Sequence, residues 1–249
     1  MDTTLFLRQL RRKPLPPAVQ EEYPFTIPAL RGLEELTFTA PVTFLAGENG
    51  MGKSTLLEAI ALVLGFNPEG GSRNASFSTA DTHSPLSRWL TPVRGPRRPR
   101  DGYFLRAESF YNFATYLEEV ERSDLVPSRA FASYGGKSLH RQSHGESFLA
   151  LLQNRLGGRG IYLFDEPEAA LSPSRQLSVL SLLHQLVGKD SQFIIATHSP
   201  ILLAYPGAQI LLLDEEGIRP VAYEETEHYQ ITRAFLQNPQ RMLRELLAQ

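Results

Sequence analysis

The sequence contains no cysteine among its 249 residues. Disulfide bonds, thiolate zinc sites and cysteine nucleophiles are therefore excluded. No uninterrupted apolar stretch approaches the roughly eighteen residues that a membrane-spanning helix needs. The segment Met1–Leu10 also lacks the apolar core of a signal peptide. We therefore expect a soluble, cytoplasmic protein and no membrane insertion of this chain.

An excess of charge of one sign is also missing, because 25 Lys and Arg oppose 27 Asp and Glu, for a formal net charge of -2. Any contact with nucleic acid would thus have to come from a local patch. The segment Arg94–Arg100 holds four arginines in seven residues. Such a run is either a solvated loop or a contact to nucleic-acid phosphates, and the sequence leaves both interpretations open.

Apolar periodicity predicts alternating strands and helices, which is typical of an α/β domain whose parallel sheet is covered on both faces. The predicted strands are Pro41–Ala46, Tyr103–Ala107, Gly160–Asp165, Gln192–Thr197 and Gln209–Asp214. The predicted helices are Lys53–Leu64, Phe110–Arg122, Gly145–Leu156, Pro173–Val187, Pro200–Tyr205 and Thr226–Leu247, the last broken near Pro239. The stretch Gly65–Gly102, rich in Gly, Pro, Ser and Arg, predicts an irregular insertion.

One motif predicts a phosphate-binding loop. Residues Gly47–Ser54 match G-x-x-x-x-G-K-[ST] between a predicted strand and an amphipathic helix. Glycines let the backbone fold around a phosphate chain, and the helix N-terminus adds positive potential. Lys53 would reach the β and γ phosphates of ATP, and the Ser54 hydroxyl would hold Mg²⁺. The predicted nucleotide-binding residues are Gly47, Asn49, Gly50, Gly52, Lys53, Ser54 and Thr55.

Two other strand ends carry side chains suited to hydrolysis. Asp165 and Glu166 follow the apolar run Ile161–Phe164. Asp165 is predicted to complete the Mg²⁺ shell, and Glu166 to polarise the attacking water. His198 follows the next predicted strand, where an imidazole can donate a hydrogen bond to a γ-phosphate or orient the water. We therefore predict Glu166 and His198 as the catalytic residues.

The order of four segments resembles the ATP-binding cassette (ABC) ATPases, most closely the soluble branch with RecF-like and SMC-like heads, often filed as AAA family ATPases. The segments are Gly47–Ser54, Ser143–Glu146, Leu163–Leu171 and Thr197–His198. Ser143 precedes Asp165 by 22 residues and His198 follows it by 33. The resemblance covers roughly residues 20–215.

The resemblance implies a P-loop NTPase fold of the ABC type. Its parts would be a mostly parallel sheet flanked by helices, a small antiparallel β part near the N-terminus, and a helical lobe that carries the signature motif. The whole chain, 1–249, would be one such domain. Residues 1–65 would hold the N-terminal strands and the phosphate loop. Residues 66–159 would hold the insertion and the lobe, and 160–249 the acidic strand, the histidine and the C-terminal helices.

The resemblance also implies an ATP-dependent homodimer that encloses two Mg-ATP. The signature segment of one subunit, here Ser143, Gly145 and Glu146, would close over the γ-phosphate held by the other. His144 stands where the family usually has glycine, and Ser172 where it often has aspartate.

Glu108 is predicted at the position of the family's metal-contacting glutamine. The implied metal set is therefore Ser54, Asp165 and Glu108. The residues that contact adenine stay open between Tyr23 and the basic stretch Arg8–Lys13.

The spacing of the motifs limits the possible functions of such an ATPase. About ninety residues separate Lys53 from Ser143, too few for the long coiled coil of an SMC arm. The main hypothesis is an ATPase whose dimerisation cycle acts on a partner protein or nucleic acid in DNA repair or defence. The alternatives are the ATP-binding subunit of a membrane transporter, or a nucleotide-gated switch with negligible turnover.

Overall fold

The computed structural model describes residues 5–68, 70–72, 84–106 and 144–248, and for residues 144–148 and 151 only the backbone. Glu108, Ser143 and the predicted helix Phe110–Arg122 lie outside the described residues. Within the described ranges, no helix combines the length and apolarity needed to cross a lipid bilayer.

Two sheets form the framework of the described chain. The smaller is antiparallel with the order β2-β1-β5, and its strands are Leu7–Arg12 (β1), Glu35–Thr37 (β2) and Leu90–Arg94 (β5). The larger has the order β10-β9-β3-β8-β7-β6-β4. Its strands are Val42–Ala46 (β3), Gly71–Ser72 (β4), Asp101–Arg106 (β6), Gly160–Asp165 (β7), Gln192–Ala196 (β8), Gln209–Asp214 (β9) and Gly217–Val221 (β10).

The neighbours from β9 to β6 pair in parallel, whereas β10 and β4 pair antiparallel at the two edges. The larger sheet confirms the predicted mostly parallel sheet, and the smaller sheet, which contains β1 and β2, confirms the predicted antiparallel part near the N-terminus.

Helices cover both faces of the larger sheet. The α-helices are Pro17–Gln20 (α1), Pro28–Arg31 (α2), Lys53–Leu64 (α3), His144–Arg155 (α4), Pro173–Val187 (α5), Pro200–Leu203 (α6), Glu227–Gln237 (α7) and Pro239–Leu247 (α8). Short 3-10 turns span Pro85–Trp89, Pro167–Ala170 and Tyr223–Glu225.

The core divides according to the alternation of side chains along the strands. In β7, Ile161 and Leu163 pack in a cluster with α3 and the antiparallel sheet. Tyr162 and Phe164 point to the other face and pack with α4 and α5. Because successive side chains of a strand point to opposite faces, a strand covered on both sides is apolar throughout. All residues of β3, β7 and β8 are accordingly buried.

The prediction of an irregular insertion over Gly65–Gly102 is wrong for its second half. Leu90–Arg94 forms β5, which pairs antiparallel with β1 so that Leu7 lies opposite Arg94. Pro92 is tolerated there because β5 is an edge strand, where a missing N–H removes no ladder hydrogen bond.

The strand register sets the position of the site. Leu45 of β3 pairs with Ala196 of β8, and Ala196 pairs with Asp165 of β7. The carboxyl ends of these three parallel strands therefore lie side by side, where an open α/β sheet binds its ligands.

Candidate functional site

The loop between β3 and α3 has a backbone that only glycine can supply at its first position. Gly47 has φ 141°, and a Cβ added there would lie 2.2 Å from the carbonyl oxygen of Leu213. Gly52 has φ 87° and precedes the first residue of α3 without any side-chain cap. The first N–H groups of α3 are thus left for an anion. This backbone suits the predicted phosphate loop.

Lys53 occupies the inside of this loop. Its Nζ donates hydrogen bonds to the carbonyl oxygens of Gly47 and Glu48, both at 2.8 Å. Burial lowers the pKa of Lys53, although the nearby carboxylates of Glu166, Glu48, Asp165 and Glu168 oppose the shift. A buried ammonium bonded only to neutral carbonyls would gain strongly from an anionic partner.

Ser54 and Asp165 meet directly beside Lys53. The Ser54 hydroxyl donates to Asp165 Oδ1 at 2.9 Å. The other carboxylate oxygen, Oδ2, lies 3.7 Å from Nε of Arg106. Arg106 also forms an ion pair with Glu58, at 2.9 Å between Nη1 and Oε2. Sequence analysis gave no role to Arg106, although it too ends a parallel strand, which is the signal that would have indicated it.

The oxygen donors of Ser54 and Asp165 fit Mg²⁺, which prefers hard oxygen ligands and keeps several non-protein ligands. No group of three or more His, Cys, Asp or Glu side chains able to hold a metal exists among residues 5–68, 70–72, 84–106 and 144–248. An ion here would therefore depend on phosphate and water oxygens for the rest of its shell, as expected for an ion that arrives with a nucleotide.

Glu166 follows Asp165 in a conformation that is uncommon for a residue with a side chain. Its φ is 49°, and its N–H donates to the carbonyl of Ala196 at 3.0 Å. Such left-handed conformations concentrate at functional sites. The partly exposed carboxylate of Glu166 lies 3.8 Å, measured at Oε1, from Nε2 of His198. The two predicted catalytic side chains are therefore neighbours.

His198 has a second partner that sequence analysis missed. Its Nδ1 lies 3.0 Å from Nε2 of His228, at the start of α7. The backbone N–H of His198 donates a hydrogen bond to the carboxyl group of Glu168. Burial raises the pKa of Glu168. Burial lowers the pKa of His198, and Lys53 and His228 lower it further against the opposing effect of Glu166 and Glu48.

The remaining predicted residues divide into four groups. Thr55 lies in α3, where its hydroxyl is 3.1 Å from the hydroxyl of the exposed Tyr23. Asn49 and Gly50 lie exposed at the tip of the loop. Gly145 and Glu146 lie in the first turn of α4 with only their backbone described. Ser143 and Glu108 fall outside the described residues, so their roles stay predictions.

Comparisons with known proteins agree with this geometry. A family model described as "AAA domain" matches residues 26–94, and one described as "AAA domain, putative AbiEii toxin, Type IV TA system" matches residues 114–204. The chain is 26% identical over 231 residues to the L-cystine transport system ATP-binding protein TcyN of Escherichia coli (strain K12), covering 84% of this chain and 91% of that protein. It is 28% identical over 222 residues to the thiamine import ATP-binding protein ThiQ of Ruegeria sp. (strain TM1040), covering 81% and 86%.

Among solved structures, cbiO1 from Clostridium perfringens, described as part of the ABC transporter complex cbiONQ, aligns with a TM-score of 0.53. The sequence identity is 16%, and the alignment covers 98% of this chain and 100% of that chain. This likeness shows the fold.

The parallel sheet, the glycine loop before α3 and the acidic strand end define a P-loop ATPase. The relatives above make the chain similar in sequence to ATP-binding proteins of transport systems, and the solved structure shows that it shares the fold of an ATP-binding cassette. These findings support the class of ATP-hydrolysing P-loop proteins that the sequence motifs predicted.

Proposed function

We propose that two copies of this chain close around two Mg-ATP in the cytoplasm and that hydrolysis drives a membrane permease partner. The observation that supports the hydrolytic site is the meeting of Ser54 with Asp165 and of Glu166 with His198 at adjacent strand ends. The permease is favoured over repair or defence because relatives such as TcyN and ThiQ are described as ATP-binding proteins of transport and import systems.

In this mechanism the chain's own residues bind the phosphates of ATP, orient the attacking water and accept its proton. Lys53 exchanges the carbonyls of Gly47 and Glu48 for the β and γ phosphates. Ser54 and Asp165 would hold Mg²⁺, which when bound would supply positive charge to the phosphate oxygens. Glu166 accepts the proton of the attacking water, and His198 directs Nε2 towards the γ-phosphate. The signature segment Ser143, Gly145 and Glu146 of the other copy completes each site.

Hydrolysis is tested by the ATPase rate of the purified protein with Mg²⁺, compared with a Glu166→Gln control. A wild-type rate well above the control supports the mechanism. Tight ATP binding without a rate above the control would instead support the switch with negligible turnover.

The permease proposal is tested separately with detergent-solubilised membranes from the source cells. An integral membrane protein should co-purify with tagged Glu166→Gln protein in ATP, and purified permease should raise the ATPase rate. Absence of both effects would overturn the proposal that the partner is a membrane permease.

A second candidate, action on nucleic acid, is favoured by one surface. A hollow of about 360 Å³ is lined by Phe6, Arg97, Arg98, Arg100, Arg159 and Asp190. Arg100, Arg159 and Asp190 come shortly before β6, β7 and β8, so the hollow lies at the edge of the sheet opposite the ATP site. Asp190 is the one acid in this lining and pairs with Arg97 at 3.4 Å. Clustered arginines of this kind suit phosphate groups.

Binding of labelled duplex DNA over a range of salt concentrations tests this candidate. A salt-dependent affinity that falls in an Arg98→Ala/Arg159→Ala variant, but not in an Arg241→Ala/Arg244→Ala control on α8, would support it. Equal affinity of both variants would exclude the hollow as the DNA site.

A further inference from the structure

The direction of the hydrogen bond between His198 and His228 depends on the tautomers of the two rings, and it decides what His198 offers to a ligand. The atoms Nδ1 of His198 and Nε2 of His228 are 3.0 Å apart. In a pair of neutral imidazoles, one of these nitrogens carries the hydrogen and the other accepts it. Burial lowers the pKa of both histidines, which favours the neutral forms that such a pair requires.

The surroundings of His198 distinguish the two directions. Its Nε2 is buried without a hydrogen-bond partner among the described residues, and the nearest carboxylate oxygen, Glu166 Oε1, is 3.8 Å away. If His198 donated from Nδ1, its Nε2 would turn a lone pair towards that carboxylate. If His228 donates instead, Nε2 of His198 carries a hydrogen and faces the negative charge favourably.

The surroundings of His228 do not oppose this direction. Its Nδ1 is also buried without a partner in the described part of the chain. Each direction therefore leaves one buried N–H without a hydrogen-bond partner, on Nδ1 of His228 or on Nε2 of His198. The direction is decided by the carboxylate of Glu166, which lies 3.8 Å from Nε2 of His198.

We propose that His228 is a positioning residue whose Nε2–H donates to Nδ1 of His198 and thereby fixes the tautomer with Nε2–H aimed at the γ-phosphate. This inference rests on the proposed role of His198 in hydrolysis. The second ring nitrogen of a functional histidine commonly sets its tautomer in this way.

The N-terminal end of α7 is held firmly enough for this task. Thr226 caps the helix by accepting a hydrogen bond from the N–H of Tyr229 at 3.4 Å. The hydroxyl of Tyr223 donates to the carbonyl of Pro200 at 2.8 Å. Pro200 follows His198 by two residues, so the segment that carries His228 is tied to the segment that carries His198.

The tautomer is tested without any turnover by ¹⁵N NMR of protein labelled at its histidines. A His198→Asn variant identifies the signals of His198 by their loss. In the wild type we expect the hydrogen on Nε2 of His198, and in His228→Met a mixture of tautomers. A hydrogen on Nδ1 in the wild type, or an unchanged tautomer in His228→Met, would overturn the inference even if the protein hydrolyses ATP as proposed.

Kinetics give an independent test with matched variants. His228→Met keeps a similar volume without a donor and should lower kcat about tenfold, with KM for ATP within twofold. His228→Gln keeps an N–H at the reach of Nε2 and should recover most of that loss. In a His198→Ala background, His228→Met should change kcat less than twofold. The same tenfold loss in that background, or no recovery by His228→Gln, would show a structural role only.

Discussion

We expect the affinity for nucleotide to depend most on the buried cation of the phosphate loop. Lys53 is only 4% exposed, and its ammonium is bonded to the carbonyls of Gly47 and Glu48. Burial of a charge is costly unless an opposite charge compensates it. A bound triphosphate would supply that charge, so removal of the ammonium should remove the main interaction between the loop and the nucleotide.

We therefore expect Lys53→Ala to abolish ATP binding, measured by titration calorimetry and by loss of the thermal stabilisation that saturating ATP gives the wild type. Lys13→Ala is the matched control, because the ammonium of Lys13 is exposed and donates to the carbonyl of Arg88 at 2.8 Å. Unchanged ATP affinity in Lys53→Ala would contradict the assignment of the loop.

At the scale of residues, the local sequence pattern identified the site residues that follow strand ends. It missed the site residues that tertiary packing brings next to them. Asp165, Glu166 and His198 each stand directly after an apolar run, so their shared edge could be predicted. Arg106 reaches Asp165 only because β6 and β7 pair in a register that sets these two residues side by side. His228 lies in a helix whose docking next to His198 leaves no local signal.

At the scale of elements, two of the strands that sequence analysis failed to predict share one property. Leu90–Arg94 and Gly217–Val221 both contain a proline, Pro92 and Pro220, and both lie at the edge of a sheet. Proline argues against a central strand but not against an edge strand. Whether a strand will lie at an edge depends on pairing with distant segments, as in the pairing of β5 with β1.

The side chain of the buried residue Gln192 helps to join the two sheets. Its Oε1 accepts hydrogen bonds from the N–H groups of Phe6 and Leu7, each at 2.9 Å, and its Nε2 donates to the carbonyl of Leu7 at 2.8 Å. Gln192→Met keeps the volume but deprives these buried groups of their partners. We expect the free energy of unfolding in urea to fall by about 2 kcal/mol.

Gln9→Met provides the control for this change. Gln9 also lies on β1, but its amide bonds the Thr37 hydroxyl at 3.1 Å on an exposed surface. A change within about 0.5 kcal/mol is expected there. Equal effects of the two substitutions would mean that the hydrogen bonds of Gln192 do not join the sheets.

A second junction, between the end of α4 and the starts of β6 and β7, is centred on Asp101. Its carboxylate accepts from Arg155 at 3.0 Å, from Tyr162 at 2.9 Å and from the N–H of Gly157 at 3.1 Å. Burial alone would raise the pKa of Asp101, but the hydrogen bond from Gly157 and the charge of Arg155 outweigh it and lower the pKa.

A lowered pKa in the folded state means that Asp101 stabilises the fold above its unfolded pKa, about 3.9. This contribution is lost as the pH falls through the folded pKa. Asp101→Asn should therefore cost about 2 kcal/mol of unfolding free energy at pH 7, and the difference from wild type should shrink near pH 3. Asp190→Asn, in an exposed pair with Arg97, should cost less than about 0.5 kcal/mol. If the difference in unfolding free energy between Asp101→Asn and wild type grew towards acid pH, the result would contradict a lowered pKa of Asp101.

At the scale of the whole molecule, the described site is one half of the proposed catalytic unit. Lys53, Ser54, Asp165, Glu166 and His198 come from neighbouring strand ends of one chain. The proposed contact of the signature segment needs a second copy. Glu166→Gln removes the proton acceptor but keeps the shape of the site, so ATP should stay bound and hold two copies together. We expect its mass, measured by light scattering at micromolar concentration, to double on addition of Mg-ATP.

The double variant Lys53→Ala/Glu166→Gln should stay monomeric in the same measurement, because the dimer would be held by the bound nucleotide. A doubled mass in that variant would show association without ATP. A Glu166→Gln protein that stays monomeric with ATP bound would contradict the enclosed arrangement.

Ser143→Arg distinguishes a contact across the dimer from one within the chain. A serine that faces the partner's γ-phosphate leaves space for it, whereas a long arginine at the interface holds the two copies apart. Because each copy holds its own ATP on Lys53, Ser54 and Asp165, the monomer should bind ATP with unchanged affinity. In the Glu166→Gln background, Ser143→Arg should therefore block the doubled mass and leave calorimetric ATP binding intact. A dimer that survives would place Ser143 away from the interface, and a loss of monomer binding would place it in its own chain's site.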